Sequence, residues 1–294
     1  MFKRVLLPLD GSAAAETAIP YAKELAAGLA SELVLYHVPR REDEDRKRMH
    51  EVYLNSLAAD VRKDLAGNKI TVEIEVEAGD PTESICRLVD HSKIDLLVMT
   101  AVSASGIRVG KMLGSVADQV CRTVPIPVML VRPGNVVAIG QKQRLLNHML
   151  IPVDGSELSK LALPVGEELA SKLKLSITLF QMANMIRVLD DGTGSTPFID
   201  YTGLNEDEKN RVIAQMAELE KGIKEKGLDV NSVVTSGFDP AYEIMETGAK
   251  QNVDLVVMST HGRTGLGRWV FGNVAEKVLR HGQAPLLLVH ASAG

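Results

Sequence analysis

Short apolar runs recur along the chain, and between them apolar residues return every three or four positions. In the first half this pattern predicts strands near 3–9, 32–38, 70–77, 94–100 and 127–132, with helices near 13–30, 42–66, 81–92 and 114–124. In the second half it predicts strands near 148–153, 175–182, 229–235, 253–258 and 285–290. The runs L-L-V-M and L-V-V-M lack polar alternation, as expected of strands covered on both faces. Strands that alternate with helices predict βαβ units and an α/β fold. Five strands with four crossovers form a doubly wound, flavodoxin- or Rossmann-like sandwich, whose ligands bind beyond the carboxyl ends of a parallel sheet.

The pattern is written twice. Residues 5–12 read V-L-L-P-L-D-G-S and residues 149–156 read M-L-I-P-V-D-G-S, an offset of 144 that Ala18, Pro20, Glu24, Leu25 and Ala26 keep with Ala162, Pro164, Glu168, Leu169 and Ala170. Further on, G-D-P at 79–81 answers G-F-D-P at 237–240, and L-G-S-V-A-D at 113–118 answers F-G-N-V-A-E at 271–276. The drift in offset places an insertion within 184–204 of the second copy. A repeat of about 145 residues has the size of a domain and far exceeds a solenoid unit. The reading is therefore two tandem domains, 1–133 and 148–294, joined by a linker at 134–147.

Composition narrows the function. A net charge of −5 and only 4% aromatic residues leave little for phosphate backbones or stacked bases, so no nucleic-acid partner is expected. The two cysteines, Cys86 and Cys121, form neither a CxxC pair nor a metal cluster and suit a reducing compartment. The apolar run after Lys3 and Arg4 stops at Asp10, too early for a signal peptide, and no run approaches the ~20 residues of a membrane helix. A soluble, cytoplasmic protein without a membrane partner is the expectation.

Candidate chemistry sits at the strand ends. The loop from Ser259 to Asn273 holds His261, Gly262, Arg263, Arg268 and Gly272, with four glycines in all and no acid. Glycines let backbone amides approach an anion, and a helix starting near Asn273 adds free amides and a positive dipole end. That combination suits phosphate; a solvated connector is the plain alternative. Two phosphate motifs fail: Gly106 to Met112 is one residue short of a P-loop with Met112 at the hydroxyl position, and 262–267 is not G-x-G-x-x-G.

Several residues have structural readings. Asp10 and Asp154 each precede Gly-Ser, where Asp supports a turn and Ser caps a helix. Ser115 with Asp118, and Asn273 with Glu276, have capping-box spacing. His37 at an apolar strand end, matched by Gln181, reads as structural or solvated, and Met182, Met185 and Met216 as packing residues. Asp190 and Asp191 lie in a polar loop, so no metal site is assigned. His261 lacks a paired base and no nucleophile elbow exists, so no catalytic residue is assigned either.

Taken together, the residues resemble the universal stress protein family, in tandem form, from the first strand of each copy to the last. Its ATP-binding members share G-x2-G-x9-G-(S/T) after the fourth strand; the second copy reads Ser259-x2-Gly262-x9-Gly272-Asn273. The resemblance implies an adenine nucleotide (ATP, ADP or AMP, with or without magnesium) at Asp154, Met182, Ser259, His261, Gly262, Arg263, Gly272 and Asn273. In the first copy a second site at Asp10, Val38, Gly114 and Ser115 is expected to bind weakly or not at all, because Ser103 or Ala104 replaces the loop glycine and a side chain there crowds a phosphate, with the basic Arg108 and Lys111 of the same loop weighing the other way. The implied function is a stress-response regulator acting through conformation or a protein partner, with the two domains paired through their last strands, 127–132 and 285–290, as apolar edges favour, and a homodimer possible beyond that. A slow ATPase or adenylate-using enzyme, and a nucleotide-free scaffold, are the alternatives.

Overall fold

The computed structural model describes residues 2–39, 44–68, 70–101, 113–132, 144–185, 201–260 and 272–290. The first half contains β1 (Arg4–Pro8), α1 (Ala13–Glu16), α2 (Ile19–Leu29), β2 (Glu32–His37), α3 (Glu44–Asp64), β3 (Val72–Val76), α4 (Pro81–His91), β4 (Leu96–Thr100), α5 (Ser115–Thr123) and β5 (Val128–Val131). The second repeats the order with β6 (His148–Pro152), α6 (Glu157–Lys160), α7 (Ala162–Leu173), β7 (Ser176–Asn184), α8 (Tyr201–Lys224), β8 (Val230–Gly237), α9 (Pro240–Lys250), β9 (Leu255–Ser259), α10 (Asn273–His281) and β10 (Leu286–Val289). The helix expected over 13–30 is broken: Thr17 ends α1, and α2 restarts with a proline in its first turn, where a missing amide costs no helical bond.

Local chemistry explains the matching ends. The repeated Asp-Pro caps α4 and α9: Asp80 Oδ1 accepts from the amides of Thr82 and Glu83 at 2.9 and 3.1 Å, and Asp239 Oδ1 from that of Ala241 at 3.1 Å. Strands β4 and β9, the unalternating runs, are buried at every residue.

All ten strands form one sheet in the order β3-β2-β1-β4-β5-β10-β9-β6-β7-β8. Within each half the pairing is parallel. The halves meet where β5 and β10 run antiparallel, with Leu130 opposite Leu286, Met129 opposite Leu287 and Val128 opposite Leu288. Because that pairing is antiparallel, the carboxyl ends of the two sets of parallel strands face opposite edges of the sheet.

Two apolar layers cover the sheet and both cross the seam. One joins Leu25, Leu54 and Val61 to Leu169, Val212 and Met216; the other joins Ile85 and Val120 to Ile244 and Val278. Helices α2 and α7 pack against each other across the seam. Gly28 allows this approach, since a Cβ there would lie 2.7 Å from Leu173 Cγ. The chain enters β6 through a clasp in which Glu24 accepts from the amides of Leu145 and Leu146 at 2.7 and 2.9 Å, with Leu146 fully buried.

Two stability changes should follow. Replacing Glu24 with Ala orphans two partly buried amides and should lower unfolding free energy by about 1–3 kcal/mol in urea titrations. Gly28→Phe should cost about the same by overpacking the α2–α7 contact. An unchanged urea midpoint in either variant would show that the contact concerned does not hold the halves together.

Candidate functional site

The turns after β1 and β6 are built alike. Gly11 and Gly155 have φ of +79° and +82°, a left-handed backbone that glycine adopts without a Cβ clash. This brings Ser12 under Asp10, whose Oδ1 accepts from the serine amide and hydroxyl at 3.0 and 2.5 Å. Asp154 Oδ1 likewise accepts from the Ser156 amide and hydroxyl at 2.9 and 2.6 Å. Each serine Oγ then accepts from the amide of Ala15 or Ser159 at 3.1 Å. The structural reading of Asp-Gly-Ser holds in both halves, and both aspartates stand at the rim of a cavity.

The starts of α5 and α10 correct the capping-box expectation. Gly114 and Gly272 occupy the capping position, and Ser115 and Asn273 are the first helical residues, with no side-chain cap in either case. Asp118 and Glu276 instead accept from arginines one turn on: Arg122 Nη2 reaches Asp118 Oδ1 at 2.8 Å and Arg280 Nε reaches Glu276 Oε1 at 2.9 Å. A glycine offers no oxygen to the first amides, so both helix starts present amides and a positive dipole end to what lies before them.

What lies before each is a cavity beyond the strands' carboxyl ends, at the switch point where the strand order reverses. The second-half cavity, about 310 Å³, is lined by Asp154, Met182, Ser259, Gly272 and Asn273. Five of the eight residues expected there are thus together, while His261, Gly262 and Arg263 lie outside the described residues. Phe180, fully buried, and Ile244 supply apolar wall that the sequence did not single out, although Phe180 stands two residues before Met182 on the same face of β7. Met182 and Met216 are buried as expected; Met185 is exposed and does not pack, since it follows the end of β7.

The first-half cavity is larger, about 660 Å³, and brings together Asp10, Val38, Gly114 and Ser115. The Ser103 and Ala104 positions on which its weaker rating rests lie outside the described residues. His37 and His50 also line it. His37 is buried, as its structural reading anticipates; His50 enters from α3 with no signal in the sequence to mark it. Neither cavity has a lysine or arginine among its described lining residues. Among the described residues, positive potential there comes from the helix starts.

The remaining reactive groups lie elsewhere. Burial raises the thiols of both Cys86 and Cys121, which disfavours the nucleophilic thiolate. Among the described residues no group of three or more His, Cys, Asp or Glu side chains is placed to hold a metal ion, and no helix is long and apolar enough to cross a membrane.

Known proteins share this architecture. A universal stress protein from Archaeoglobus fulgidus superposes with a TM-score of 0.70 at 21% identity, covering 98% of each chain. A universal stress protein of Methanocaldococcus jannaschii is 28% identical over 151 residues, 50% of this chain and 84% of its own length. One from Mycobacterium bovis is 25% identical over 228 residues, 77% of this chain and 72% of its own. The model of the universal stress protein family matches residues 1–132 and again 146–290, and the chain belongs to that family.

Proposed function

We propose that this chain is a stress-response regulator that binds an adenine nucleotide in the second-half cavity. The observation that carries the reading is the meeting of Asp154, Met182, Ser259 and the uncapped start of α10 around one cavity. The base lies against the apolar wall of Phe180, Met182 and Ile244, with the main chain near Met182 reading its edge. Asp154 Oδ1 already accepts from Ser156; its carboxylate accepts from a ribose hydroxyl as acidic residues do in other doubly wound folds. The phosphates sit before Gly272 and Asn273, where amides and helix dipole favour negative charge, and Arg263 supplies the cation that the described lining lacks. The consequence of binding is a change in conformation or in what a protein partner reads.

Equilibrium titration of nucleotide-stripped protein with ATP, magnesium present, should give one tight equivalent per chain. Asn273→Asp should weaken it at least about tenfold, since an acidic residue in the first turn suits the helix but repels phosphate. Gly262→Asp should weaken it comparably. Thermal stability of Asn273→Asp should not fall. No ATP binding, or affinity indifferent to both changes, would remove this reading.

A further inference from the structure

Helix α3 is held differently along its length. From its middle onward it buries Leu54, Ala58 and Val61 in the apolar layer against the sheet. In the turn before Leu54, Met49 and Val52 face solvent with 67% and 69% of their surface exposed. Among the described residues, the ring contacts and the hydrogen bond that tie this turn to the domain come from His50 and Tyr53. Tyr53 Oη donates to Glu16 Oε1 at 2.8 Å. His50 stacks on His37 with ring centroids 4.2 Å apart and an interplanar angle of 30°, and Tyr53 meets the same ring edge-on at 6.4 Å. His37 and His50 both line the first-half cavity, so the turn forms part of its wall. A segment with so few buried apolar contacts opens at lower cost than the helix that continues it.

The ring under that turn suits one protonation state. His37 is 4% exposed, and its Nδ1 lies 2.7 Å from the Leu9 carbonyl oxygen. A carbonyl only accepts, so Nδ1 carries the proton of the neutral ring. Nε2 is buried and has no hydrogen-bonding partner in the protein. A second proton there would meet no acceptor and would set a charge against the stacked His50. Burial lowers the His37 pKa most, and His50 pushes the same way, while the Leu9 carbonyl and Asp10 act against them. The surrounding groups are Asp10 from the turn after β1, Glu16 from α1 through Tyr53, and His50 and Tyr53 from α3. From β3, Val76 stands opposite His37, and the Glu77 carboxylate is taken by Tyr36 and Arg87. A histidine whose folded-state pKa is depressed contributes stability above its ordinary range and loses it as pH falls.

We propose that the turn of α3 around His50 is a pH-gated lid on the first-half cavity, latched by two stacked neutral imidazoles and released when His37 takes a second proton. The proton comes from solvent and goes to Nε2. Hydration of the new N–H requires His50 to leave the ring, and its turn leaves with it, while Leu54 and the residues beyond stay in the core. The second half has the buried Gln181 at the matching strand position, which does not titrate, so acid acts on one half only.

The test is native-state hydrogen exchange on the full chain, followed by NMR from about pH 7.5 to about pH 5.5. After correction for intrinsic exchange, the opening constant of the amides at 50–53 should rise about tenfold over that span, as a hydrated imidazole titrates near its ordinary value of about 6.5. The amides at 58–62, in the same helix, should show no such rise, which separates lid release from global unfolding. His37→Gln installs the residue of the second half and should flatten the profile at 50–53. In the wild type, the ring 15N resonances of His37 should follow the same pH course as the exchange, a readout that needs no variant to fold. A flat wild-type profile at 50–53, a rise that His37→Gln retains or that 58–62 share, or a His37 ring that stays neutral while 50–53 open would each overturn the proposal.

Discussion

The rest of the molecule depends on the antiparallel union of β5 with β10. Each is a short strand of four residues, V-M-L-V and L-L-L-V, apolar on both faces. Left at the margin of a five-stranded sheet, either would be an apolar edge with unpaired amides and carbonyls, open to any other strand. Set against each other, all eight residues are buried, and two sheets become one of ten strands. The outer margins then fall to β3 and β8. There β3 alternates buried valine with exposed Glu73, and most of β8 is polar or only half-buried, a composition that discourages further pairing.

The cavities follow from the same layout. Helices cross from opposite faces at the switch point between β1 and β4, and between β6 and β9, which leaves a crevice no side chain fills. The Asp-Gly-Ser turn closes one wall and a glycine-capped helix start another. Rigid backbone therefore makes the crevice, and the residues that differ between the halves decide what it accepts. His37 lines the first-half cavity whereas its counterpart Gln181 is not among the described residues lining the second, and the fourth-strand loops differ in glycine content.

Most of the fold was legible because each strand and cap has a local cause. The unbroken apolar runs, bounded by turn residues and alternating with helical stretches, fitted doubly covered strands. The last-strand pairing came from the family resemblance, with apolar edges as its physical support. Two features were not legible. Ser115 and Asn273 have the chemistry of capping residues, and only the backbone shows the helix beginning one residue earlier than a cap at those positions allows, with glycine in the capping place. His50 lies on a helix of mixed charge, where nothing in spacing marks it; its stacking on His37 depends on how α3 lies over β2, a tertiary fact. The strand-end residues of the candidate site were found because topology alone delivers them to one place.

The antiparallel seam has a genetic consequence as well. In a symmetric dimer of single-domain subunits, every substitution in a pocket appears twice, so neither pocket can change its ligand without the other. Here the two pockets are encoded separately and open at opposite edges of one sheet, held in fixed relation by β5 and β10. Mutation can therefore alter the lining of one while the other is unchanged, a freedom that two copies of one gene product never have.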